Sequence, residues 1–375
     1  FTMSTTSTGL GVTYVAKGVV GDKQTLSIGV QNLNAGKATV EDHTDWTVKI
    51  AWTDNTRNFS VTSGIGMPFL YFTKGSNDVA RIEVKAGTAT VSNEMILIKD
   101  TQEGVDYAVY APTGSTWTKS GSVYTSSLNG KNYWSAAMLP QSNSNPSQLA
   151  NTFKKFAYVF PADTKVSWNF NEATSVVRTT FQITPDVKEG SNNTILQGLL
   201  PHQWDNLAAD SPQPNSETYV NVRGDIKMLD GNIFYVENTF YGVLPTLPYL
   251  ANYSTSFNPA SLGSKVNLLQ NNALPSHTDS YNEGQLMNRL IQTARIAHEM
   301  GNTAARDKMI ATVKARLEDW LSYKSGEVAF LFYYNNTWTT LLGYPAGHGQ
   351  DTNINDHHFH WGYFIHAAAF VEQFE

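Results

Sequence analysis

No cysteine occurs among the 375 residues, which removes disulfide frameworks, thiolate-ligated zinc, iron–sulfur clusters and thiol nucleophiles together. Charge is also scarce. Asp, Glu, Lys and Arg make up 15% of the chain, and the balance of 26 basic against 32 acidic residues leaves a formal net charge of -6. That sign gives no electrostatic basis for binding nucleic acid or an anionic membrane. No apolar run reaches the roughly 18 residues of a membrane span, and the opening Phe1-Thr2-Met3-Ser4-Thr5-Thr6 lacks the basic and apolar regions of a signal peptide. Aromatics, by contrast, reach 12%. Few ions and many rings suit an uncharged, polyhydroxylated ligand whose C–H faces stack on Trp and Tyr. An exported protein, processed before Phe1, fits the low charge and the Ser/Thr/Asn-rich composition, so an extracellular location is expected.

Up to about residue 185 apolar and polar positions alternate in short runs, as in Trp46-Thr47-Val48-Lys49-Ile50-Ala51-Trp52 and Arg57-Asn58-Phe59-Ser60-Val61. Turn residues punctuate them at Asn34-Ala35-Gly36, Ala86-Gly87 and Asn129-Gly130. Later strands are expected at Phe156 to Phe160, Lys165 to Phe170 and Val176 to Ile183, with Gln141 to Ser147 a loop and no helix interrupting. Many short strands of this kind predict a large β-sandwich over residues 1–185. A stretch rich in Asn, Pro and Gly, over 186–262, reads as a connecting subdomain with apolar runs at Thr194 to Leu200 and Tyr241 to Leu250.

After Pro275 the period becomes helical. Ser280 with Glu283 reads as a capping box, followed by a stripe of Leu286, Leu290, Ala294 and Ala297 that ends at Gly301-Asn302. A second helix, capped by Thr303, carries Ile310, Val313, Leu317, Trp320 and Leu321, which completes an αα-hairpin. A third begins near Asn355-Asp356 and runs through Phe359, Tyr363, Ala367 and Phe370. The 263–375 region is short for a closed helical domain, so a longer parent chain is expected.

Functional atoms are densest at Asn353-Ile354-Asn355-Asp356-His357-His358-Phe359-His360-Trp361-Gly362-Tyr363-Phe364, preceded by Gly347-His348-Gly349-Gln350-Asp351; five of the nine histidines lie between His348 and His366. Asp356 has a plain reading as a helix cap. His357, His358 and His360 are poorly placed as cations at a positive helix end, which favours neutral rings beside Trp361 and Tyr363 and hence a sugar-binding wall. A metal site using Asp356 with His357, or His358 with His366, matches no zincin spacing. No Gly-x-Ser-x-Gly elbow or phosphate-binding loop is present.

The run from Asn355 to Phe364 with Ala367-Ala368-Ala369 resembles the signature of glycoside hydrolase family 81, the endo-β-1,3-glucanases or laminarinases. Gly66-Met67-Pro68-Phe69, Gly198 to Trp204, Arg223-Gly224-Asp225-Ile226-Lys227, Tyr241-Gly242-Val243-Leu244-Pro245 and Asp279-Ser280-Tyr281 are similar to further segments of that family, in family order. The resemblance implies a multidomain β + α protein: a β-sandwich, a small α/β linker domain, and over 263–375 the start of an (α/α) helical toroid. It also implies inverting hydrolysis of β-1,3-glucan, with Asp356 as general acid and the general base a Glu beyond Glu375. No cofactor or metal is implied. The expected partner is the glucan alone, with no nucleic acid or membrane, and the expected state is a monomer. His358, His360, Tyr363, Asp279 and Tyr281 are the candidates for sugar contacts, and Trp204 for stacking. A general acid at Asp356 needs burial, by Phe359, Trp361 and Tyr363 folding over it, to counter the helix end. Two other classes stay open. A polysaccharide lyase would call for uronate-binding Arg or Lys, absent from residues 340–375; the missing second carboxylate is the argument for a noncatalytic glucan-binding protein.

Overall fold

The structure, a computed structural model, describes residues 2–14, 24–101, 104–140, 145–243, 254–271 and 276–375. Phe1, Pro275, the first four residues of the Gln141 to Ser147 loop, and the Tyr241 to Leu250 run from 244 onward lie outside these. The chain forms two compact units, Phe1–Tyr241 and Gly242–Glu375. Mixed β and α structure is what the sequence leads one to expect. None of the described helices is long and apolar enough to cross a membrane.

In the first unit, alternation builds a six-stranded and an eight-stranded antiparallel sheet. Their inward side chains, among them Leu10, Ile28 and Ile82 from one and Trp52, Phe59, Phe72 and Trp134 from the other, make a single hydrophobic core. The rings interlock, with centroids 5.2 Å apart for Trp52 and Phe59 and 5.1 Å for Phe72 and Trp134. The buried Trp52 indole N–H donates to the Thr6 carbonyl (2.9 Å), which satisfies that donor and ties one sheet to the other.

One expected turn is found in this unit, and two other expectations need correction. The expected turn at Ala86-Gly87 is present and carries the chain from Ala80–Val84 in the six-stranded sheet to Thr88–Ser92 in the eight-stranded one. Gly87 has φ 96°, and a Cβ there would lie 2.5 Å from the Lys99 carbonyl oxygen, so only glycine fits. A helix, Pro146–Phe153, interrupts the strands. Pro146 sits in its first turn, the Asn145 carboxamide accepts from the Gln148 N–H (3.1 Å), and Leu149, Ala150 and Phe153 are buried. Finally, Phe156 closes a 3-10 turn, while the two strands expected at 156–160 and 165–170 are one, Val159–Asn171, carried through an irregularity at Pro161/Asp163. This long strand pairs with Val176–Val187, which pairs with Ile233–Thr239. Leu196–Leu199, Ile226–Asp230 and Thr218–Tyr219 form a further small sheet.

The second unit comprises helices Pro259–Asn271, Ser280–Glu299 and Thr303–Leu321, a hairpin of Leu331–Asn335 with Thr340–Tyr344, a short helix Gln350–Asn353, and the helix His357–Phe374. Met287, Leu290, Ile291, Ala294 and Ala297 pack with Val313, Leu317, Trp320, Phe364, Ala367 and Phe370 in one core. Alanines at 294, 297 and 367 let the helices approach closely. The helix Pro259–Asn271 and the hairpin were not anticipated. Leu321 is 58% exposed, so the stripe of its helix ends at Trp320. Asn302, rather than Thr303, caps that helix, its side chain accepting from the Ala305 N–H (3.1 Å). The buried stripe of the last helix is His360, Phe364, Ala367 and Phe370, one position on from the expected Phe359 and Tyr363.

Candidate active site

The helix Ser280–Glu299 brings the first residues to the site. Asp279, one residue before the expected cap, has extended backbone (φ -69°, ψ 163°), and its carboxylate accepts the N–H groups of Tyr281 (3.0 Å) and Asn282 (3.2 Å) and the Asn282 carboxamide (2.6 Å). Burial alone would raise its pKa, but these donors hold it below the ordinary carboxylate value. Asp279 is thus occupied as a cap, and Gly347 packs so closely on its carboxylate that a Cβ would not fit. Ser280 and Glu283 do not form a box. Ser280 Oγ lies 2.6 Å from His360 Nδ1, and Glu283 accepts from Arg316 and from the Thr278 N–H (3.3 Å).

The other wall comes from the loop 347–356. His348 (φ 55°), Gly349 (φ 73°), Ile354 (φ 52°) and Asp356 (φ 51°) all have left-handed backbone. Three of them carry a Cβ, a conformation costing roughly 1–2 kcal/mol per residue, and such positions gather where geometry serves function. The loop is held by its own polar groups: Asn353 N–H to the Gly349 carbonyl (2.8 Å), and the Asn355 carboxamide to the His348 carbonyl (2.9 Å). Buried Gln350 accepts from the Gly343 N–H (2.7 Å), fastening the loop to the hairpin.

Left-handed backbone at Asp356 has a direct chemical consequence. A cap folds its side chain back from extended φ/ψ onto the next N–H groups; Asp356 is the residue before the helix His357–Phe374 but makes no such bond. Its carbonyl accepts from the N–H groups of Phe359 (2.9 Å) and His360 (3.1 Å), while its carboxylate accepts from the Asn355 carboxamide (3.2 Å). Two aspartates stand before two helices of one unit; one is consumed as a cap and the other keeps its oxygens for something else.

Around them lies an aromatic cluster centred on Tyr281, whose ring centroid is 4.4 Å from His348, 5.3 Å from His360, 5.8 Å from Tyr363 and 6.5 Å from Phe359. Gly284 makes room for it, since a Cβ there would lie 2.5 Å from the Tyr363 Cβ. Burial, then the neighbouring Tyr281, raises the Tyr363 pKa. Asp279, Tyr281, His360 and Tyr363 are therefore brought together. His348 and Ser280 were missed as members of this cluster, although His348 stands in the Gly347-His348-Gly349 run where glycines flag unusual backbone.

Other expected members are placed differently. His360 is 0% exposed and bonded to Ser280, so it supports the wall from behind. His358 is exposed, its ring 4.4 Å from Phe359. Trp361 turns inward, 4.5 Å from Phe332, with its indole N–H buried, and presents no stacking face. The rings of Phe359, Trp361 and Tyr363 pack on His358, Phe332 and Tyr281 respectively, which replaces the expected lid over Asp356. Trp204, in the first unit, donates to the Asp225 carbonyl (2.8 Å) and lies under the Lys227 ammonium (3.6 Å), so its face is taken. Among the described residues no three of His, Asp or Glu gather as a metal site.

Burial lowers the pKa of His357, His360 and His366; His358 adds to this at His357 and Arg295 at His366, while Asp279 opposes it at His360. A depressed imidazole binds fewer protons folded than unfolded, so stability is full above about pH 6.5 and falls as pH drops through the unfolded value toward the folded one. Glu283, raised mainly by burial, acts with the opposite sign. Thermal unfolding from pH 7.5 to 5 should therefore show a loss on acidification that is shallower in His360→Gln than in the unaltered chain. Parallel curves would remove the histidine from this account.

Residues 262–375 match the glycosyl hydrolase family 81 C-terminal domain. The chain is similar to proteins named glucan endo-1,3-beta-D-glucosidase from Acetivibrio thermocellus (38% identical over 87% of this chain and 41% of that one) and Thermobifida fusca (32% over 93% and 44%). It also resembles the solved structure of a glycoside hydrolase family 81 protein from Clostridium thermocellum, CtLam81A, with a TM-score of 0.83 and 34% identity over 98% of this chain and 52% of that one. The chain thus spans less than half the length of the curated relatives it matches. It resembles glycosyl hydrolase family 81 proteins over nearly all of its length, and its residues 262–375 match that family's C-terminal domain.

Proposed function

We propose that this chain is part of an endo-acting β-1,3-glucan hydrolase that inverts anomeric configuration, with Asp356 as general acid. The observation that carries the proposal is the Asp356 carboxylate: it precedes a helix yet does not cap it, and it stands in the segment most like the family signature. Inversion calls for an acid to protonate the leaving oxygen and a carboxylate, roughly 6.5–9.5 Å away, to activate water on the opposite face. Asp279 and Glu283 are both engaged, one by helix N–H groups and the other by Arg316, and the base remains the Glu outside these residues that the family resemblance implies. Tyr281, Tyr363 and His358 contact the sugar, and Asp279 and His360 hold those rings in place.

The reading retains a β-sandwich over 1–185, an α/β linker over 186–262 and the first helices of a toroid over 263–375. It also retains a secreted, monomeric protein acting on neutral glucan. The test is laminarin digestion by the protein carrying this chain, followed by proton NMR of the products. Inversion of a β-linkage releases the α-anomer first. Initial β-anomer would overturn inversion, and laminarin bound but uncut would replace hydrolysis with glucan binding.

A further inference from the structure

A cavity bounded by described residues lies wholly in the first unit and has no part in the chemistry above. Its volume is about 510 Å³, within the roughly 300–1,000 Å³ typical of ligand clefts. Thr2, Met3 and Tyr14 line one side, the stretch from Thr44 to Val48 and from Ser63 to Pro68 another, and Tyr219, Val220, Asn221 and Ile226 the third. Two of these walls contain segments singled out in the sequence, Gly66-Met67-Pro68 and the Arg223 to Lys227 run. They are built to a close tolerance. The Gly198 N–H donates to the Gly66 carbonyl (2.8 Å), and a Cβ on Gly66 would overlap the Gly198 carbonyl oxygen. The Tyr14 hydroxyl donates to the Val220 carbonyl, fastening two of the sides together.

The lining states what would bind. It has no Lys or Arg, and its one carboxylate, Asp45, accepts the Val166 N–H (2.6 Å), so nothing there compensates a charged ligand. Trp46 is half-buried and packs on the core with its ring held edge-on against Phe181 (5.9 Å), while its backbone N–H donates to Thr164 Oγ1 (3.1 Å), so ring and main chain are both held and the indole is a fixed plate. Met3, Met67 and Met138 add pliable apolar surface, and Thr2, Ser63 and Asn221 supply hydroxyl and carboxamide groups. A fixed indole beside a few neutral polar groups suits a pyranose, with C–H faces on the ring and hydroxyls at the rim. We propose that this cleft is a second carbohydrate site, apart from the Asp356 site, that takes a short, uncharged β-1,3-linked gluco-oligosaccharide. The choice of sugar rests on the function proposed above; the existence of the site rests on the cleft.

The methionines make the test direct. Three of the eight, Met3, Met67 and Met138, line the cleft, whereas Met287 and Met309 lie in the core of the second unit. In the chain labelled with methyl-13C methionine, laminarihexaose should move the Met3, Met67 and Met138 signals with one common concentration dependence and leave Met287 and Met309 in place. Trp46→Ala should weaken that response about tenfold, the loss expected from one stacked ring. Ile65→Ala, at an exposed rim position, should weaken it too and guards against a folding defect at Trp46; Tyr281→Ala should leave it unchanged. Pocket methionines that stay still at millimolar laminarihexaose would overturn the site, whatever the hydrolysis assay gives. Equal shifts with cellohexaose and maltohexaose would overturn the choice of linkage, and a site that responds in a protein unable to cut laminarin would separate this proposal from the catalytic one.

Discussion

Asp356→Asn, made in the protein carrying this chain, should lower laminarin turnover about 10²- to 10⁴-fold, the usual contribution of a positioned proton donor, while laminarihexaose binding stays within about twofold. Asparagine is the substitution of choice for a structural reason. Asn is among the few residues that enter left-handed backbone readily, so φ 51° at this position is tolerated. Its side-chain oxygen can still accept from the Asn355 carboxamide, as the carboxylate does now. What is lost is the transferable proton. Alanine would add backbone strain of roughly 1–2 kcal/mol at the same place and blur the result. The measurement is kcat on laminarin beside calorimetric binding of the hexaose; near-normal kcat would end the assignment of Asp356, and lost binding with kcat retained would make it a sugar contact.

Glu283→Ala should have the largest effect on stability, about 3–5 kcal/mol, because it withdraws a carboxylate from a buried ion pair and leaves the opposing charge in place. Glu283 is 0% exposed and Arg316 nearly buried, and the pair joins the helix Ser280–Glu299 to Thr303–Leu321. The Thr278 N–H also loses its acceptor. Against a typical total of about 5–15 kcal/mol, that is a large share. Urea unfolding followed by the helical circular-dichroism signal checks it. The double variant Glu283→Leu with Arg316→Met should recover most of the loss, since well-packed apolar residues often replace such a pair without penalty. A single-variant effect under 1 kcal/mol would show that the pair is solvated.

Elements with a strong period were legible in advance. The buried stripes Leu290, Ala294, Ala297 and Val313, Leu317, Trp320 follow directly from spacing, as do the strands around Trp52 and Phe59. Boundaries were less so. Ser280 and Asp279 are both good caps by type, and only the extended φ/ψ of Asp279 decides between them. The hairpin Leu331–Asn335 with Thr340–Tyr344 carries its signal in Phe332, Tyr333, Tyr334 and the Asn335-Asn336-Thr337 turn, but lies between helices that dominate the pattern. At the site, residue types were readable and directions were not. Nothing in the run from Asp356 to Tyr363 says that His360 faces Ser280 or that Trp361 faces Phe332. Those directions depend on where the last helix starts, and hence on the handedness of a single backbone position, Asp356.

The loop 347–356 also bears on what binding substrate demands of the protein. Its left-handed residues are held by bonds from Gln350, Asn353 and Asn355, so the freedom lost in orienting the Asp356 backbone was given up when the chain folded. A glycoside meeting this surface need not order it. Its binding energy is left to act on the sugar ring, where distortion toward the transition state takes place.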